Sequence, residues 1–115
     1  MEAARDEFRL RLQADQQHVS EAREEWNAAV ATSRTARRVA DEALRSARTQ
    51  GEQDRAWQLD AAAVRADGAA VAAQNQFVAA GNSQQATQDA LNDCEAEIRA
   101  DRAQAGRDSV TLHLK

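Results

Sequence analysis

At 115 residues the chain is long enough for one domain and too short for two ordinary ones. It has no proline, four glycines and 28 alanines, a composition that favours helix almost throughout. A net charge of −4 argues against a nucleic-acid binder, whose domain is normally basic, and a lone cysteine excludes an internal disulfide.

The spacing predicts a first helix over about 2–49. Glu2, Asp6 and Glu7 stand near its start and Arg45 and Arg48 near its end, which complements the helix dipole. Within it, Arg34, Arg37 and Arg38 form a basic patch that reads as a solvated face, with phosphate binding as the competing use. The polar stretch Thr49-Gln50-Gly51-Glu52-Gln53 predicts a turn at about 50–53, with Gly51 supplying a left-handed residue after the helix end.

A second helix is expected over about 54–105. Gly81-Asn82-Ser83 is its candidate break, since glycine ends helices and Asn or Ser caps the next one. The apolar spacing crosses that point from Ala80 to Gln84 without a phase slip, so one continuous helix is expected, with any bend at 81–83. After Gly106 the pattern changes. Ser109-Val110-Thr111-Leu112-His113-Leu114 alternates polar and apolar residues, which predicts a tail over 107–115 that is strand-like or disordered.

Both helices carry core-type residues at alternating steps of three and four. Pairing them antiparallel, so that residue numbers across a layer sum to 102 or 103, brings the large residues together. Leu12 meets Leu91, Trp26 meets Phe77 and Phe8 meets Cys94, with Ile98 beyond them. Near the turn the layers are mostly alanine, and Asp15 opposite Thr87 makes a polar interruption of the kind that fixes register. The predicted fold is therefore all-α: a long antiparallel two-helix coiled-coil hairpin with an alanine-rich seam, occupying residues 1–106. Cys94 reads as a small buried hydrophobe on that seam.

Alanine supplies more than half of the apolar residues, and each alanine layer buries little surface. A lone hairpin of this composition is marginal, and association is the expected remedy. Trp57, Val64, Val71 and Val78 recur every seven residues off the seam, while Val30, Leu44 and Val39 flank it on the first helix. These predict an association face, most economically in a dimer of hairpins forming a four-helix bundle, or else in docking to another helical protein. From Gly68 to Gln88 no residue is charged, but the stretch holds too many amides for a membrane segment and reads as helix surface pressed against protein.

No catalytic constellation is present in the sequence. His18 and His113 lie far apart in the hairpin, and no Cys-x-x-Cys, His-Glu-x-x-His or phosphate-binding loop occurs. No apolar run reaches the roughly 18 residues that span a bilayer, and no signal-peptide pattern opens the chain. The expectation is a non-enzymatic, cofactor-free, cytoplasmic scaffold or assembly protein. In architecture the chain is similar to small secreted hairpins of the WXG type and to the coiled-coil stalks of flagellar and type III export machines. That similarity implies an adaptor, stalk or exported hairpin as the alternative. Trp57-Gln58-Leu59 lacks the glycine of the WXG motif, and the chain has no tyrosine for the usual export tail.

Overall fold

The computed structural model describes residues 2–114, with side chains described for 2–108. It consists of two helices forming a hairpin, α1 (Glu2–Ser46) and α2 (Gln50–Leu114), with no strand among the described residues. Gly81-Asn82-Ser83 does not interrupt α2. An unbroken i→i−4 ladder satisfies the backbone there, and no positive φ occurs among the described residues.

The same observation corrects the expected turn. Gly51 lies inside the first turn of α2 with helical geometry, and the chain reverses at Ala47-Arg48-Thr49 instead. Side chains close the two helix ends. Arg48 Nη1 donates to the carbonyls of Arg45 and Ala47 at 3.2 and 3.3 Å, and the Ser46 hydroxyl donates to the Glu42 carbonyl at 2.9 Å. The Arg48 bonds cap carbonyls at the chain reversal, where a left-handed glycine turn would otherwise serve the helix end, while Ser46 bonds back within the helix. On the far side, Thr49 is the N-cap of α2. Its Oγ1 accepts the Glu52 backbone N–H at 3.1 Å, and its hydroxyl donates to Glu52 Oε1 at 3.0 Å.

The chain divides into two compact units, one of residues 19–80 and one of residues 1–18 with 81–115. The 19–80 unit contains the turn. Ala40, Ala56 and Ala63 are completely buried there, and Ala22 and Ala80 nearly so. Side chains this small let the two backbones approach closely. Trp26 and Phe77 pack with ring centroids 5.3 Å apart at 32°, both half-buried, and the Arg23 guanidinium lies 5.5 Å from the Phe77 centroid.

In the 1–18 and 81–115 unit, Leu91, Cys94 and Ile98 are buried while Phe8 and Leu12 are half-buried. Thr87 Oγ1 donates to Asp15 Oδ2 at 2.5 Å, so the polar layer is satisfied within itself. Arg9 to Glu95 at 3.3 Å and Arg102 to Glu2 at 2.6 Å are exposed pairs that add orientation more than stability.

The alternating tail does not form a strand: α2 continues through Leu114, and Lys115 lies outside the described residues. A single strand has no edge to pair with, whereas each residue added to an existing helix gains a backbone hydrogen bond without a new nucleus.

Replacing Thr49 with Ala is expected to cost about 1 kcal/mol in urea unfolding, through loss of the cap. Gly51→Ala is expected to leave stability unchanged or raise it, because an added Cβ meets nothing within 4 Å and φ is not positive. A large loss on Gly51→Ala would restore the left-handed turn. Trp26→Ala is expected to cost about 2 kcal/mol, below the range for fully buried aromatics, read from the same urea curves.

Candidate association face

An α-helix advances 100° per residue, so the position of each side chain around α2 follows from its number. Ala56, Leu59, Ala63, Ala66, Ala70 and Phe77 face α1. Trp57, Val64, Val71 and Val78 then point roughly 130° away from that seam. Their exposures agree: 64%, 57%, 57% and 51%. Ala61, Gly68 and Asn75 fall between them on the same stripe and are also exposed. The stripe thus has the two alternating rows of a coiled-coil seam, a tryptophan–valine row and a row of small or amide residues. α2 therefore carries apolar residues on two nearly opposite sides, only one of which α1 covers.

The surroundings of this stripe are depleted of charge. From Gly68 to Ala79 every exposed residue is uncharged, including Ala69, Ala72, Gln74 and Gln76. Depletion of charge at the centre, rather than bulk hydrophobicity, is the compositional mark of a protein–protein interface. Asp60 and Asp67 border the stripe on one flank and Gln58 and Arg65 on the other.

The remaining sequence candidates lie elsewhere. Val30 and Leu44 are half-buried on α1, at the edge of the seam, and Val39 on α1 is 43% exposed. Leu10, which the spacing did not single out, is the most exposed large apolar residue described. It stands alone off the seam, so no periodicity could have flagged it.

Within the arginine patch, Arg37 is held by carboxylates of both helices. Arg37 bridges to α2 through Nη1 to Asp60 Oδ1 at 2.6 Å and Nη2 to Asp67 Oδ2 at 3.5 Å, while Asp41 sits 3.9 Å away on its own helix. The Ser33 hydroxyl donates to Asp67 as well. The hydrogen bond that Arg37 donates to Asp60, partly offset by burial and helped by Asp67, holds the Arg37 guanidinium above the ordinary arginine range. Arg34, Arg38 and Arg45 line a shallow groove of about 450 Å³ beside this network, with Asp41 and Asp67 in the same lining. The arrangement is a salt-bridged helix surface with interleaved signs.

Cys94 lies beside Phe8 in the lining of a separate open groove of about 400 Å³ and is not in a disulfide. Among the described residues no cluster of His, Cys, Asp and Glu could hold a metal ion, and no helix is long and apolar enough to cross a membrane.

Arg37→Met is expected to lower the thermal midpoint at low ionic strength by more than it does in 1 M NaCl, because partly exposed pairs are screened by salt. Equal losses in both salts would show that Arg37 acts through packing. No protein-family model, curated protein or solved structure matches the chain.

Proposed function

We propose that this chain is a non-enzymatic scaffold or assembly element whose hairpins associate through the outer face of α2. One observation carries the reading. Four large apolar side chains, Trp57, Val64, Val71 and Val78, are spaced by seven residues and half or more exposed in the single chain. Monomeric proteins rarely leave such a contiguous patch in water.

The physical argument for association also runs through stability. Alanine layers at Ala40, Ala56 and Ala63 contribute little apolar area each, so the hairpin gains less from its own seam than a leucine-rich pair of helices would. Covering the valine stripe adds the missing burial. A net charge of −4, with Arg37 already held by Asp60 and Asp67, favours a protein partner over nucleic acid.

The test is solution mass by light scattering, combined with circular dichroism. The wild-type chain is expected to sediment and scatter as a dimer or higher multiple. Val71→Asp is expected to yield a monomer of unchanged helicity at low concentration, since a charge on an exposed helix position costs little in the monomer and much in a dry interface. A wild-type chain that is monomeric at all accessible concentrations would overturn self-association and leave a different helical protein as the occupant of the face.

A further inference from the structure

Resting on the self-association just proposed, we infer that two copies pair α2 against α2 in parallel and in register over Trp57–Val78, with Asn75 facing its own counterpart. The argument begins with the two rows of the stripe. One row is Trp57, Val64, Val71 and Val78; the other is Ala61, Gly68 and Asn75. In a parallel pair each row packs against the same row of the partner, whereas in an antiparallel pair each row packs against the other.

Asn75 separates the two arrangements. In any antiparallel alignment of these rows it lies opposite a valine or the tryptophan, and its amide enters an apolar layer without a partner. A buried amide without a hydrogen bond is costly. In the parallel, in-register alignment Asn75 meets Asn75, and each amide offers the other both a donor and an acceptor. A single asparagine in this row is the best-attested device by which a coiled coil selects register and orientation at some cost in stability.

The flanks agree. In a parallel pair, a residue immediately before the small row faces the partner residue five positions later. Asp60 of one copy then stands opposite Arg65 of the other. Asp60 Oδ1 already takes the Arg37 guanidinium, which leaves its second oxygen for that contact. Farther along, the partners of Asp67 and Gln74 are Ala72 and Ala79, so no like charges meet. The uncharged exposed surface from Gly68 to Ala79 requires an occupant that is itself uncharged there, and a second copy in register presents that surface. Because the stripe points roughly 130° from α1, the partner's α2 can seat without displacing it.

Disulfide trapping tests orientation directly. In a Cys94→Ala background, Val64→Cys and Val78→Cys are made as separate full-length variants, each checked for native helicity and mass. Under mild oxidation, each variant alone is expected to convert mostly to a covalent dimer, with 64 linked to 64 and 78 linked to 78. If neither variant links to itself while Val78→Cys mixed with an Ala61→Cys variant in the same background gives a 61–78 link, one row faces the other, the pairing is antiparallel and the inference fails. A dimer by light scattering in which neither variant links, alone or mixed, also overturns it, while leaving self-association standing. A chain that is monomeric by light scattering would remove both readings together. As a second arm, Asn75→Val is expected to tighten association while allowing a 61–78 link to appear when Ala61→Cys and Val78→Cys are mixed; an unchanged linking pattern would show that Asn75 does not select orientation.

Discussion

Close approach of two helices through alanine is the constraint on which the rest of this molecule rests. Ala40, Ala56 and Ala63 have no exposed surface, although an alanine side chain reaches only a methyl group beyond the backbone. Such layers seal only if the helices lie nearer to each other than leucine or phenylalanine layers would allow. Near contact supplies dispersion and excludes water, but the apolar area removed is small. The seam is therefore well sealed and weakly stabilising at once. That combination makes the uncovered side of α2 matter: a helix that gains modestly on one side has more to gain by burying the other.

Charge is distributed with the same logic. The central arginine of the patch seen in the sequence, Arg37, is gripped by Asp60 and Asp67 across the helix pair within the 19–80 unit. The acidic and basic residues of the 1–18 and 81–115 unit likewise pair across helices, Arg9 with Glu95 and Arg102 with Glu2. Between Gly68 and Gln88 the chain has no charge to place. Charged side chains thus mark the solvated flanks, and the uncharged stretch overlaps the surface proposed for association over 68–78.

The helix pairing was legible in the sequence because it depends on period alone. Phe8 through Ala47 and Leu59 through Ile98 keep one phase, and the partners Asp15 with Thr87 and Trp26 with Phe77 follow from adding residue numbers. Local chemistry was harder to read. Gly51 looks like a helix stop by type, yet the stop is built by Arg48 folding back on the carbonyls of Arg45 and Ala47, and by the Thr49 hydroxyl on Glu52. Whether a long guanidinium reaches its own helix end depends on rotamers, which composition does not encode. The tail differed for a related reason: alternation measures which sides are apolar, but a strand also needs a partner edge, and 109–114 continues α2 instead. The seven-residue recurrence of Trp57, Val64, Val71 and Val78 was visible, but that α1 leaves all four exposed depends on where the second helix packs, which spacing within one helix does not encode.

Cys94 gives the chain a built-in reporter. The residue is 8% exposed beside Phe8, and it is the single cysteine in the sequence. The closed arms leave little of it exposed and slow its reaction with alkylating reagents, and parting of the amino- and carboxyl-terminal arms speeds that reaction, so a rise in labelling rate in native buffer marks the opening. The turn-containing unit carries no thiol and stays silent in such a record, which lets fraying of the ends be timed separately from global unfolding.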